Sequence, residues 1–214
     1  MDYKDKFTDK NITLYNMDCM ELLKNTEDNY YDLAIVDPPY GINVNKMGLG
    51  YGAKKQKRHK QYKDSSIPKK EYFDELKRVS KKRIIWGGNY FLDYLENTRC
   101  FLIWDKVQEF SGADFEMAWT NFDKVSKAFR MSRIEAYSKG TIHPTQKPVK
   151  LYEWLLQNYA KEGNKILDTH LGSGSIAIAC NRLKYELTAC ELDTEYFEAS
   201  VKRYKEQTAQ IQMF

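Results

Sequence analysis

No apolar run in this chain is long enough to span a membrane, and no two of its four cysteines form a Cys-x-x-Cys pair. The first lack argues against a membrane protein. The second argues against a zinc site. Cys19, Cys100, Cys180 and Cys190 also lie too far apart to suggest a disulfide framework, so they fit reduced thiols in a cytoplasmic protein. The polar start, Met1 to Lys6, is not a secretory signal. Charge of neither sign dominates: the net charge of +4 is too mild to name a partner. With no repeat and no clear linker, residues 1–214 read as one domain, long enough for a sizeable core. A hydrophobic content of 42% is that of a globular chain. The 16 tyrosines fit either a core or a stacking surface, and composition does not separate the two.

Short apolar runs alternate with helical patterns, which predicts an α/β fold. Strands are expected near residues 12–16, 32–36, 83–86, 100–104, 116–120, 165–168 and 186–190. Helices are expected over 69–80, 90–96, 150–159, 175–183 and 194–207. In the third of these helices, Leu151, Trp154, Leu155 and Tyr159 recur at helical spacing and make one apolar face. About seven strands, mostly parallel, with helices on both faces, form the expected sheet. Such sheets bind ligands beyond the carboxyl ends of their strands.

Two unusual segments fall at strand ends. Asp37-Pro38-Pro39-Tyr40 follows the apolar run that ends in Ile35 and Val36. The prolines stop the strand and supply no N–H, leaving carbonyls to accept from something else. A carboxylate and an aromatic ring stand beside them, a set suited to a flat group bearing an amine. A given tetrapeptide recurs by chance in roughly one chain in a thousand of this length, so its context must decide. The second segment runs from Asp168 through Gly172, Ser173 and Gly174 to Ser175, a strand, a tight loop and a helix start. Glycines there let the backbone turn and approach a ligand. The loop is neither Gly-x-Gly-x-x-Gly nor Gly-Lys-Ser/Thr, which favours a nucleoside-type ligand without phosphate over NAD or ATP. Downstream, Glu191 ends a strand, where an acid can accept from both hydroxyls of a ribose. An acid at that place alone would be an ordinary cap or turn residue.

Together with His143-Pro144-Thr145-Gln146-Lys147-Pro148 and Tyr15-Asn16-Met17-Asp18-Cys19, these motifs closely resemble the permuted, β-class S-adenosylmethionine-dependent DNA amino-methyltransferases. The resemblance covers nearly the whole chain. It implies a Rossmann-like methyltransferase fold of seven strands in circularly permuted order, entered at the third strand with the first two last. The Asp-Pro-Pro-Tyr form resembles the adenine N6 enzymes, whereas cytosine N4 enzymes more often carry serine first. Carried over, Asp37, Pro38, Pro39 and Tyr40 are catalytic. Asp168, Gly172 and Gly174 shape the cofactor's methionine end, Glu191 binds its ribose and Asp18 its adenine. Thr145 and Lys147 hold the methionine carboxylate. Asp18 reads equally well as a helix N-cap, His143 as structural, and Lys147 as solvated. Where the family usually has Asp-Pro-Phe, this chain has Asp168-Thr169-His170. His170 is a further cofactor-side candidate, whose ionisation would make binding sensitive to pH near neutrality. No metal is called for.

The stretch after the tetrapeptide, residues 41–67, is rich in glycine and carries Lys54, Lys55, Lys57, Arg58 and Lys60, with no acid from Lys46 to Lys63. It reads either as a solvated loop or as a mobile loop that neutralises DNA phosphates and closes over substrate. Only a short segment, residues 122–141, is left for target recognition, where Arg130 and Arg133 are candidates to reach a base edge. That brevity moves recognition to the loop, to a partner or to a second copy of the chain, since dimers are common among such relatives. The competing readings are cytosine N4 or RNA adenine methylation, and a non-catalytic nucleic-acid-binding subunit that keeps the fold.

Overall fold

A computed structural model describes residues 1–42, 66–108, 113–138 and 140–209. The described strands form one nine-stranded sheet in the order β1-β2-β9-β8-β3-β4-β6-β5-β7. They are β1 (Asp5–Asp9), β2 (Ile12–Asn16), β3 (Tyr31–Val36), β4 (Ser80–Trp86), β5 (Phe101–Asp105), β6 (Phe115–Thr120), β7 (Lys127–Arg130), β8 (Lys165–Asp168) and β9 (Glu186–Glu191). The pairings of β2 with β9, β9 with β8, β8 with β3, β3 with β4 and β5 with β7 are parallel, so the sheet is mostly parallel as expected. β8 and β9, last in the chain, insert at the centre between β2 and β3, the permuted order that the motifs implied.

Two strands exceed the expected seven. β1 and β7 are the sheet's edges, and their sequences, Asp-Lys-Phe-Thr-Asp and Lys-Ala-Phe-Arg, carry charges where core strands carry aliphatics. Charged edges resist pairing with other chains, but the same charges hide a strand from a search for apolar runs. β7 also takes up part of residues 122–141, the segment expected to recognise a target, and a short helix, α3 (Arg133–Ala136), takes up more.

Alternation along the central strands sends side chains to opposite faces. Leu33, Ile35, Ile84, Trp86 and Ile166 enter one core, while Ala34, Val36, Ile85 and Leu167 enter the other. Helices α4 (Val149–Tyr159), α5 (Ser175–Leu183) and α6 (Thr194–Ala209) cover the first face. Helices α1 (Cys19–Lys24) and α2 (Lys70–Val79) cover the second. The fully buried Tyr204 of α6 ties one edge together: its hydroxyl donates to Asp9 at 2.8 Å and accepts from Asn181 of α5 at 2.8 Å. The helix expected over 90–96 is instead two 3-10 turns, Gly88–Tyr90 and Leu92–Tyr94. Its apolar residues, Phe91 and Tyr94, pack on Phe73 of α2, so they satisfy burial without a continuous helix. Among the described residues no helix is long and apolar enough to cross a membrane.

Leu155, on the predicted apolar face of α4, is fully buried. Leu155→Ala should lower the unfolding free energy by about 2–5 kcal/mol, the range for a buried leucine whose site cannot collapse. Urea unfolding measures it.

Candidate active site

Parallel strands place their carboxyl ends on one edge, and the predicted residues gather there. β2 leads to Asp18, β9 ends at Glu191, β8 at Asp168, and β3 runs directly into Asp37. One cleft is lined by Asp37, Lys147, His170, Gly172 and Glu191. The two halves of the site, 110 residues apart in the chain at Asp37 and Lys147, therefore meet.

The meeting is an ion pair. Lys147 Nζ donates to Asp37 Oδ2 at 2.5 Å and to the Tyr40 hydroxyl at 3.2 Å, and the Tyr40 hydroxyl donates to Asp37 Oδ1 at 2.5 Å. The Lys147 side chain is 1% exposed, so it is not the solvated lysine that an isolated reading allows. Its ammonium is also 3.1 Å from Glu116 Oε2 and lies over the Trp86 ring, 5.2 Å from the centroid. Glu116 pairs in turn with Lys106, at 2.9 Å through Oε1. The result is an alternating row, Lys106–Glu116–Lys147–Asp37. Burial pushes the Asp37 carboxyl above its ordinary value, with Lys147 pulling against it. Burial also opposes the charge on Lys147, but Asp37 and Glu116 outweigh it and hold the ammonium above the usual lysine value. Glu116 meets the same burial, and Lys147 and Lys106 overcome it, keeping the carboxyl down at about 2.

Glu116 and Lys106 were not legible as site residues. The only signal was an acid opening an otherwise apolar strand. β6 runs antiparallel to β4 and β5, so its first residues, not its last, reach the carboxyl edge of the sheet.

Tyr40 lies between two neighbours. Its ring stacks on Tyr90 with centroids 5.1 Å apart and planes 15° apart. It also presses on Gly87, where an added Cβ would sit 2.2 Å from a ring carbon. Gly87 has φ +68°, so both the backbone and the contact demand glycine.

The glycine loop is held from three sides. Gly174 caps α5 at φ +72°, against Ser200 of α6. Glu191 accepts from the Gly172 N–H at 2.9 Å and from the Asp193 N–H at 3.0 Å. Arg203 donates to the Ser173 carbonyl at 2.7 Å and to Ser175 Oγ at 2.9 Å. Ser175 Oγ donates to the Lys147 carbonyl at 2.7 Å, which joins the loop to the ion pair. Asp168 accepts from the His170 N–H at 3.0 Å, and its burial raises the carboxyl to about 8.

His170 corrects an expectation. Its ring nitrogen Nδ1 is 2.9 Å from Thr169 Oγ1, which is 2.7 Å from the Tyr72 hydroxyl. Burial lowers its pKa to about 4, so the ring is neutral throughout the pH 6–8 range and is not a switch near neutrality. Asp18 serves as the N-cap of α1, accepting from the Met20 N–H at 2.8 Å, the local reading set beside its cofactor role. Thr145 lines the same cleft, its hydroxyl 3.1 Å from His143 Nδ1, and His143 packs edge-on against Tyr196. Arg130 pairs with Asp105 at the surface and Arg133 opens α3 over the Tyr137 ring. Lys54, Lys55, Lys57, Arg58 and Lys60 lie outside the described residues. Among the described residues no cluster of ligands suits a metal ion.

The chain is similar to known DNA methyltransferases. The N6/N4 methyltransferase family model, described as DNA methylase, matches residues 105–202. The type II methyltransferase M2.MboI of Moraxella bovis is 22% identical, over 94% of this chain and 90% of its own. M.HpaI of Haemophilus parainfluenzae, also a type II methyltransferase, is 24% identical over 86% of this chain and 71% of its own. Among solved structures, the M1.HpyAVI–SAM complex superposes with a TM-score of 0.61 at 21% identity, covering 90% of this chain and 99% of that one. The cytosine-N4-specific PvuII DNA methyltransferase superposes with a TM-score of 0.65 at 15% identity, covering 97% and 94%. At these identities the structures establish a shared fold.

Lys147→Met would leave Asp37 buried without its cation. The variant should lose about 3–5 kcal/mol of stability at pH 8, as expected when one partner of a buried pair is removed. The orphaned carboxyl takes up a proton as the pH falls, so the loss should shrink by pH 5. Urea unfolding of both proteins at the two pH values measures it.

Proposed function

We propose that this chain, which is similar to the N6/N4 DNA methylases, is one of them and transfers a methyl group from S-adenosyl-L-methionine to the N6 amine of an adenine flipped out of DNA. The observation that carries the proposal is the Asp37 carboxylate, presented at the end of β3 into the same cleft as the glycine loop and Glu191. The relatives include a cytosine-N4-specific enzyme, so the choice of adenine rests on the aspartate of the tetrapeptide.

The cleft suits the cofactor. S-adenosyl-L-methionine is a cation that carries its transferable methyl on a sulfonium, and it has no phosphate. Asp37 and Glu191 offer carboxyls to that cleft, and the loop lacks the lysine that phosphate would call for. Asp168, Gly172 and Gly174 would shape the methionine end, bordered by Thr145 and Lys147. Glu191 would accept from the ribose hydroxyls, with Asp18 at the adenine and His170 as a neutral neighbour.

The adenine amine is a weak nucleophile because its lone pair is delocalised into the ring. Asp37 and the Pro38 carbonyl, as two acceptors, favour a pyramidal nitrogen and localise that pair. Positive charge then develops on the nitrogen, and a preorganised carboxylate in a buried site stabilises it. Asp37 acts by holding charge more than by removing the first proton. Pro39 fixes the backbone between acceptor and ring. The base must leave the duplex, at a cost of a few kcal/mol. Stacking on Tyr40, worth about 1–3 kcal/mol, offsets part of that. With Tyr90 stacked at 5.1 Å there is no room for a base between the two rings, so the incoming base takes the place of the exposed Tyr90 ring. The Tyr40 hydroxyl is also no bystander, since it donates to the acceptor Asp37. The free cysteines, three of them buried, fit a reducing compartment such as the cytoplasm.

Incubation with labelled S-adenosylmethionine and mixed-sequence DNA, followed by digestion to nucleosides, should yield labelled N6-methyladenine. Label in N4-methylcytosine would move the assignment to the alternative base, and label only in RNA would remove DNA as the substrate. Asp37→Ala should bind the cofactor and transfer no methyl. Tyr40→Phe should retain more activity than Tyr40→Ala, because it keeps the ring and loses only the hydroxyl.

The basic residues after the tetrapeptide are proposed to meet DNA phosphates. Replacing Lys54, Lys55, Lys57 and Arg58 together should weaken DNA binding and flatten its dependence on salt. An unchanged salt slope would place the DNA elsewhere, with Arg130 and Arg133 the next candidates.

A further inference from the structure

We propose that Glu116 is a positioning residue that sets the strength of Asp37 as an acceptor, acting through Lys147. The proposal rests on the methyl-transfer reading above and extends it to a residue outside the motifs.

A buried carboxylate with a lysine ammonium at 2.5 Å is held charged, but it is also a weakened acceptor, because the lysine draws on the same lone pairs that the amine needs. Lys147 is not committed to Asp37 alone. Glu116 competes for the same ammonium at 3.1 Å, and Glu116 is itself held by Lys106 at 2.9 Å. The four charges alternate in sign and sum to zero. Removing Glu116 gives the whole ammonium to Asp37 and deletes a nearby negative charge. Both effects make Asp37 a weaker base. Removing Lys106 does the reverse, because an unpartnered Glu116 pulls Lys147 away from Asp37. Lys106 and Glu116 therefore work on Asp37 with opposite sign, although neither touches it.

The other groups facing Asp37 do not duplicate this control. Tyr40, Tyr137 and Tyr152 are phenols whose pKa burial pushes up, to about 12 for Tyr137 and well above the ordinary value for the other two. They stay neutral and add no charge beside Asp37. Burial raises the Asp168 carboxyl to about 8. It belongs to the cofactor side, so saturating cofactor separates its titration from that of Asp37.

The test is the pH dependence of single-turnover methyl transfer at saturating cofactor and DNA, where the acid limb reports Asp37. Glu116→Gln keeps the size and a hydrogen-bond acceptor but removes the charge. Its acid limb should move to lower pH by about one unit, with the plateau rate down about tenfold, the same energy expressed twice. Lys106→Met should move the limb to higher pH, and it keeps the test alive if the glutamine variant fails to fold. Because Lys147 also borders the methionine end, both variants are compared at saturating cofactor, where a change in cofactor affinity does not enter the limb. A plateau loss without a limb shift would make Glu116 a structural residue and overturn the proposal. So would limbs that move in the same direction. A wild type that transfers no methyl at any pH would overturn the reading beneath it as well.

Discussion

The pairing of Lys147 with Asp37 is the constraint that the rest of the site depends on. A buried ion pair is a poor source of stability, because desolvating both charges costs about as much as their attraction returns. Here each interior charge has a second partner, Glu116 for Lys147 and the Tyr40 hydroxyl for Asp37, so neither charge is left with one contact. The arrangement joins a residue at the end of β3 to one just before α4. Through the Lys147 carbonyl it reaches Ser175, and through Ser175 it reaches Arg203 and the glycine loop. The proposed acceptor for the amine and the proposed cradle for the cofactor are thus registered by two consecutive links. In a reaction that needs an in-line approach, small errors in that registration are costly.

Sheet direction explains why these groups can meet at all. Five parallel strands, β2, β9, β8, β3 and β4, deliver Asp18, Glu191, Asp168, Asp37 and Gly87 to one edge. The antiparallel β6 contributes from its start, which brings Glu116 to the same edge. The chain order matters little to this geometry. With β8 and β9 at the centre, the strands that end at Asp168 and Glu191 stand close to the strand that leads to Asp37, whichever is synthesised first. The electrostatics follow from the same placement. The edge is acidic, and burial leaves Asp168 near 8 while Glu116 is held near 2, so carboxyls of one site hold different proton states.

Much of this was legible in the chain. The strands of the sheet's interior were found because their residues are apolar on both faces. The edge strands β1 and β7 were not, because a strand that must stay unpaired on one side is written in charges. The 90–96 segment read as a helix because Tyr90, Phe91 and Tyr94 have helical spacing. Tertiary packing met the same demand with two short turns. His170 read as a candidate switch from its identity alone. Its burial beside Thr169 and Tyr72 puts its titration at about 4.

By itself the sequence determined the α/β class through its hydrophobic period. Its prolines and glycines at fixed offsets and its acid at a strand end carried the resemblance that implied the permuted order of strands and grouped Asp37 to Tyr40, Asp168 to Gly174 and Glu191 in one site. The tertiary structure alone decided that Lys147 faces Asp37, that Glu116 and Lys106 complete a row of alternating charges, and that Tyr90 covers the ring expected to receive a base. Those are contacts between residues far apart in the chain, and they depend on which strand end lies beside which. No local pattern records that neighbourhood, and a charge's worth is set by its neighbours and its burial rather than by its letter.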